Sequence, residues 1–458
     1  MIVVGGGPAG SATAWGLARL GVDVLVLDRA RFPRDKTCGE YLSPQASRIL
    51  ADMGALGTVE AAGAAQLAGM VVRAPSGARI HGEFAADHGF RGFRDRGLAL
   101  RRHALDAILL DAARDAGARV AEEVRVADLE RDAGGRVTGV RTVERGGALT
   151  RRAALVVGAD GLRSVVARRL GLARHALWPR RVAFVAHYRG VADVGDCGEM
   201  HVERDGYVGI ADVGNGETNV AVVVPSSRVR RLRPVHGSPE AFAAEWIARR
   251  PHLAPRFAAA ERLTPVRVTG PFAAHARRAW APGAALVGDA ADFFDPFTGE
   301  GIYAALRGGE LLAPYARAAC EARNGRAASS PLRAYDAARR REFAGKWLVE
   351  KLIGGAVGSP ALMNHAARVL ERRRDMADLL VGVAGDFVPP SEVLRPGYVL
   401  GLVFGPLFNG VFNGERSASS GGRPVDSAPP HGLGSQRHEH TGSAHGPDPD
   451  LTHLVADR

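Results

Sequence analysis

The chain has 458 residues, 46% hydrophobic and 24% charged, with a formal net charge of +11. At about 150 residues per domain this predicts two to three domains. The balance excludes collagen-like, wholly disordered and polytopic membrane chains. Of the 60 basic residues only Lys36, Lys346 and Lys351 are lysines, and the arginines are scattered along the chain. With Ala and Gly abundant, this reads as a compositional bias toward Arg, and no nucleic-acid partner is expected. Cys38, Cys197 and Cys320 lie far apart and form no CxxC, which supports neither a disulfide framework nor a zinc site; no metal is expected. A reducing cytoplasm fits best, and Met1 to Val4 leave no room for a signal peptide before the first glycine-rich turn.

Ile2, Val3 and Val4 form a short apolar run of strand type. Gly5-Gly6-Gly7-Pro8-Ala9-Gly10, a helical stretch to Leu20 and a second apolar strand from Val22 to Leu27 follow. This is a βαβ unit opening with GxGxxG at Gly5, Gly7 and Gly10. Gly5 allows the tight turn, Gly7 a close approach to a pyrophosphate, and Gly10 close helix-to-strand packing; the helix N-terminus, with Pro8 and Ala9, offers free N–H groups. Asp28 ends the second strand, with Arg29 beside it. Its carboxylate can accept hydrogen bonds from a ribose hydroxyl pair, and its charge disfavours a 2′-phosphate. FAD and NAD share this fingerprint, so the choice between them rests on later segments.

From Arg102 to Ala116 the pattern is an amphipathic helix with Leu105, Ile108, Leu109 and Ala112 on one face. Ala154 to Gly158 is a buried strand leading to Asp160-Gly161. Between Leu172 and Gly270 strand-like runs alternate with turns, and residues 239 to 250 read as a helix. His187, Tyr188, His201 and Tyr207 are the polar candidates on these strands. Ala285 to Val287 is another buried strand, ending in Gly288-Asp289, and Pro296, Gly299, Gly301 and Ile302 open the next helix. A carboxylate at a strand's C-terminal end, as at Asp289, lies where α/β sheets bind ligands and can hold a ribityl hydroxyl. From Pro331 to about Ala384 the chain is helical, and Arg395 to Gly414 is apolar, too short and broken to span a bilayer. That segment is expected to lid a hydrophobic pocket or form part of a helical cap, with contact at a membrane surface as the other reading. Residues 415–458 are rich in Ser, Gly, Pro and His, and a disordered tail is expected.

The three motifs at Gly5, Asp160 and Asp289 resemble, in order and character, those of the geranylgeranyl reductase and flavoprotein monooxygenase superfamily, which shares a p-hydroxybenzoate-hydroxylase-like fold. The resemblance implies an α/β fold with a Rossmann-like FAD-binding domain, an inserted antiparallel β-sheet substrate domain and a C-terminal helical region. The expected divisions are 1–75, 98–171 and 271–325 for FAD, 76–97 and 172–270 for substrate, and 326–414 for the helical cap. FAD is then the expected cofactor, bound by Gly5, Gly7, Pro8, Ala9, Gly10, Asp28, Arg29, Asp160, Gly161, Gly288, Asp289, Pro296, Gly299, Gly301 and Ile302. The superfamily's Arg-x-x-hydrophobic-Asp start places Arg102 near the FAD pyrophosphate, a task that suits a guanidinium. The helix dipole behind Gly301 would favour an anionic reduced ring.

Lys36-Thr37-Cys38-Gly39-Glu40-Tyr41-Leu42-Ser43 resembles the Lys-x-Cys-Gly-Glu-x-Leu-Ser loop of the reductase branch, in which the cysteine loop passes over the flavin; Cys38 and Glu40 are the expected catalytic residues. Two departures weaken an isoprenoid-specific reading. The Tyr-x-Trp-x-Phe-Pro strand survives only as Tyr207, and Asp292 stands where the reductases commonly have glycine. The halogenase Trp-x-Trp-x-Ile-Pro is absent. The expected function is therefore an FAD-dependent oxidoreductase passing hydride to a lipophilic, polyketide- or isoprenoid-type metabolite. The alternatives are a monooxygenase of an aromatic or polyketide metabolite using NAD(P)H and O2, and a non-catalytic redox-partner module. NAD(P)H or an electron-donor protein would supply the electrons. Partners are otherwise limited to a hydrophobic or aromatic small molecule, with at most peripheral membrane contact.

Overall fold

The computed structural model describes residues 1–175, 180–229, 237–322 and 325–405. The expected tail, and the end of the apolar segment beyond Gly405, lie outside them. A six-stranded sheet runs in the order Trp280–Ala281, Ala284–Leu286, Val156–Gly158, Ile2–Val4, Leu25–Leu27, Arg119–Ala121. All pairings are parallel except that of the edge strand Trp280–Ala281. Val3, Val26, Val156, Val157 and Leu286 are fully buried, as strands covered on both faces must be. Each such side chain contributes about 1.5–3 kcal/mol on burial.

Register positions the site. Val4 pairs with Leu27 on one side and Gly158 on the other, and Gly158 pairs with Leu286. Four strands therefore end at one level, and Gly5, Asp28, Asp160 and Asp289 emerge along one edge of the sheet. The first helix, Pro8–Arg19, packs on the later helix Gly301–Glu321. At their starts Gly7 and Pro8, and Gly301 and Ile302, all line the same cavity.

The larger sheet runs in the order Glu261–Arg262, Arg181–Arg189, Thr218–Pro225, Gly206–Asp212, Cys197–Glu203, Gly69–Arg73, Arg79–Glu83, with Arg267–Thr269 also paired to Arg181–Arg189. It corrects two expectations. Gly69–Arg73 is a strand of this sheet, so residues 69–75 do not stay with the nucleotide-binding strands. The sheet is also not wholly antiparallel, because Gly69–Arg73 pairs in parallel with Cys197–Glu203. More than a hundred residues separate those two strands, ample for the crossover that a parallel pair requires. The outer face is covered by the helix Pro239–Ala248 through Phe242, Ala243, Trp246 and Ile247.

The helices Gly325–Val357, Pro360–Arg372, Arg374–Ala384, Ser391–Leu394 and Pro396–Phe404 form the expected cap. Met363, Ala367, Met376 and Ala377 pack on the large sheet's strand Arg79–Glu83 and its neighbours. Tyr398 is buried and donates to the Met376 carbonyl at 3.0 Å. Among the described residues none beyond Ala305 lines the cavity, so the described part of Arg395–Gly414 is a brace for the cap and not a lid. No helix among them is long and apolar enough to cross a membrane.

Candidate functional site

A cavity of about 1190 Å³ lies between the edge of the parallel sheet and the inner face of the large one. It exceeds the roughly 300–1,000 Å³ of ordinary ligand pockets, giving room for a cofactor and a substrate together. Every residue expected to bind cofactor lines it, except Gly10 and Gly288, which lie just behind its wall. Gly10 must be glycine: a Cβ there would stand 1.8 Å from the Gly5 carbonyl oxygen. Gly5 has φ +103° and would place a Cβ 2.5 Å from the Ala159 carbonyl oxygen. The turn can therefore tuck under the neighbouring strand only without side chains.

Asp28 is buried, with Oδ2 accepting the Gly6 N–H and Oδ1 the Ala30 N–H, both at 2.8 Å. Each oxygen keeps a lone pair for a ribose hydroxyl. Arg29 lines the cavity from an exposed position. Asp160 accepts from Ser164 Oγ at 2.5 Å and the Val165 N–H at 2.6 Å, so it fixes the turn into the next helix. Burial raises its pKa against those hydrogen bonds. Asp289 faces the cavity and makes no hydrogen bond among the described residues. Burial raises its carboxyl, opposed by Lys36 and Arg102. An unpartnered carboxylate at a strand's end is what a ribityl hydroxyl requires.

Arg102 is buried, and its Nε and Nη2 chelate Asp106 at 2.5 and 2.7 Å. Arg34 meets the same carboxylate at 3.0 Å. A Cβ on Gly7 would lie 3.6 Å from Arg102 Nη2 and 3.7 Å from Arg34 Nη2, so both guanidiniums stand beside the phosphate turn. Sequence reasoning missed Arg34 and Asp106. The signal for Asp106 was the i,i+4 spacing of the Arg102 motif, which aims both side chains down one helix face.

The two expected catalytic residues diverge. Cys38 lines the cavity, and its Sγ accepts the Glu40 N–H at 3.3 Å. Burial pushes the thiol's pKa up, opposed by the Arg102 charge. Glu40 is only 2% exposed and sits at φ +63°. Its Oε1 accepts the Arg102 N–H at 2.9 Å, while Oε2 lies 2.7 Å from His187 Nε2 and accepts from Asn219 Nδ2 at 2.9 Å. Asn219 Nδ2 also donates to the Cys38 carbonyl at 2.9 Å. Glu40 is a positioning residue, with both oxygens engaged in tying the cysteine loop to the large sheet.

Strand alternation sorts the remaining candidates. His187 and Tyr207 face inward, whereas Tyr188 packs on Phe257 and His201 stacks on His252, both on the outer face. Three inner rows cross the sheet. In one, His187 pairs with Asn219 and Asn219 with Ala211, and its polar tips hold Glu40. In another, Ala183, Val223 and Tyr207 are neighbours. Tyr207 Oη donates to Asp295 Oδ1 at 2.6 Å, and Arg181 meets Asp295 Oδ2 at 2.6 Å. Between them runs the apolar row Val185, Ala221, Gly209, Met200. The sheet thus grips both cavity loops, at Glu40 and at Asp295, and leaves a smooth apolar floor between. Asp292, the departure from the reductase pattern, is ion-paired with the buried Arg339.

Residues 1–348 match the family model described as FAD binding domain. The chain belongs to that family. It is 33% identical over 334 residues to the menaquinone reductase of Mycobacterium tuberculosis, covering 68% of this chain and 75% of that protein. It is 31% identical over 333 residues to digeranylgeranylglycerophospholipid reductase 1 of Methanopyrus kandleri, covering 70% and 81%. A solved flavoprotein/dehydrogenase of Cytophaga hutchinsonii shares the fold, with a TM-score of 0.73 at 21% identity, over 87% of this chain and 94% of that one. The protein is therefore an FAD-dependent oxidoreductase, and the residues lining the cavity fit that cofactor: the glycine turn and the two arginines could hold its phosphates, Asp28 a ribose hydroxyl and Asp289 a ribityl hydroxyl.

Proposed function

We propose that this oxidoreductase reduces a carbon–carbon double bond of a lipophilic, isoprenoid- or polyketide-type metabolite. The observation that carries the reading is the row Val185, Ala221, Gly209, Met200, a stretch of floor without polar side chains between Glu40 and Asp295, whose carboxylates the sheet already holds. Such a surface recognises an apolar chain by shape and offers no hydrogen bond to an aromatic hydroxyl. The likeness to proteins named as reductases supports the same reading. FAD, when bound, supplies the hydride. Met200 and Ala221 seat the substrate and exclude water. Cys38 Sγ holds a proton at the cavity wall, suited to the carbon that does not receive hydride. Glu40, His187 and Asn219 fix where that sulfur points. Electrons reach the cofactor from NAD(P)H or a protein reductant.

The test is product analysis. Holoenzyme reduced by NADPH or dithionite and offered a polyprenyl substrate should yield a product that has gained two hydrogens. A product carrying an added oxygen atom would establish a monooxygenase instead, and transfer of electrons to another protein without any product would establish a redox partner. Cys38→Ser should keep its flavin yet lose roughly tenfold or more in turnover, about 1.4 kcal/mol of transition-state stabilisation.

A further inference from the structure

We propose that Lys36 is a pyrophosphate-binding residue of the FAD site, a third cation lining the cavity with Arg34 and Arg102, and one that makes no hydrogen bond or ion pair among the described residues. The loop from Arg34 to Tyr41 lines the cavity. A Cβ on Gly161 would lie 3.7 Å from Lys36 Nζ, which places the ammonium at the Asp160–Gly161 turn, and that turn packs against Gly5 of the glycine turn, where a Cβ would lie 3.1 Å from the Asp160 Cα. Arg34 and Arg102 are both held by Asp106. Lys36, in contrast, makes no hydrogen bond or ion pair among the described residues. Lys36 is exposed and lines the cavity.

The charges around it agree. Burial lowers the pKa of Lys36, Asp289 opposes that, and Arg102, Arg34 and Arg29 add to it. Four cations thus line one end of the cavity, and a doubly charged pyrophosphate diester is a ligand that relieves them. Composition gives an independent argument. In a chain that uses arginine almost everywhere, all three lysines stand around the cofactor loops. Lys346 pairs with Glu300 at 3.2 Å, and Lys351 lies 5.1 Å from the Phe294 ring.

Flavin-free protein titrated with FAD, followed by quenching of flavin fluorescence, tests this without turnover. Lys36→Met should raise the FAD dissociation constant at least tenfold at low salt and should flatten its dependence on salt, because one screened ion contact has gone. Lys36→Arg should restore the salt dependence and part of the affinity. An unchanged dissociation constant would overturn the proposal. So would a weakened one with the wild-type salt dependence, or equal losses in the Met and Arg variants, since either pattern assigns the effect to packing.

Discussion

The two halves of the cavity are built on opposite rules. At the parallel sheet's edge, Lys36 and Asp289 face the cavity and neither side chain makes a hydrogen bond or ion pair among the described residues. On the large sheet's inner face the polar tips flanking the floor's apolar row are held by the loops: Tyr207 and Arg181 with Asp295, His187 and Asn219 with Glu40. A surface that keeps charge unpaired is completed by a charged ligand, and one that satisfies its own polar groups presents only shape. The parallel-sheet half therefore offers a ligand charge, and the large-sheet half an apolar contour.

Four changes break or sharpen that contrast. The largest effect should come from Gly10→Val, whose side chain has no room beneath Gly5; the purified protein should be colourless at flavin wavelengths, and retention of flavin would refute the tight turn. Glu40→Ala should come next. It strands the Arg102 N–H and the His187 and Asn219 tips in a buried place, costing about 3 kcal/mol of stability. Thermal melting checks this, and a fully stable but inactive variant would return Glu40 to the catalytic residues. Ala221→Leu fills the floor alone, and should leave flavin content and melting temperature near wild type while lowering kcat/KM for a polyprenyl substrate about tenfold, or about 1.4 kcal/mol.

The smallest effect lies on the outer face, which touches neither ligand. Burial lowers the pKa of His252 from 6.5 to about 4, with Arg73 and His201 adding to it. Between those values the unfolded chain binds the proton and the folded one does not, so this contribution to stability is present above pH 6.5 and is lost as pH falls toward 4. The ring is partly exposed, which limits the effect to about 1 kcal/mol or less. His252→Phe should lose less melting temperature than wild type between about pH 7 and about pH 5. An identical loss would show that His252 takes no part in acid unfolding.

The cofactor half was the more legible in the amino-acid order because its requirements are local. A turn that admits no Cβ must read Gly5-x-Gly7-x-x-Gly10, and an acid that meets a ribose must end the next strand, as Asp28 does. The order of residues by itself determined the parallel strands, the phosphate turn, the apolar strands of the large sheet and the place of the cysteine loop. Tertiary structure decided what the side chains on those elements do. Only the register that aligns Val4, Leu27, Gly158 and Leu286 brings Asp28, Asp160 and Asp289 to one edge. Only the packing of the large sheet on the Cys38 loop turns Glu40 from a candidate acid into a fully bonded anchor, with partners 147 and 179 residues away. The strand pattern shows which residues share a face, but the alternation is symmetric. That Tyr188 and His201 look outward while His187 and Tyr207 look inward is settled by which face the helix Pro239–Ala248 covers, a choice made by apolar burial across the whole domain.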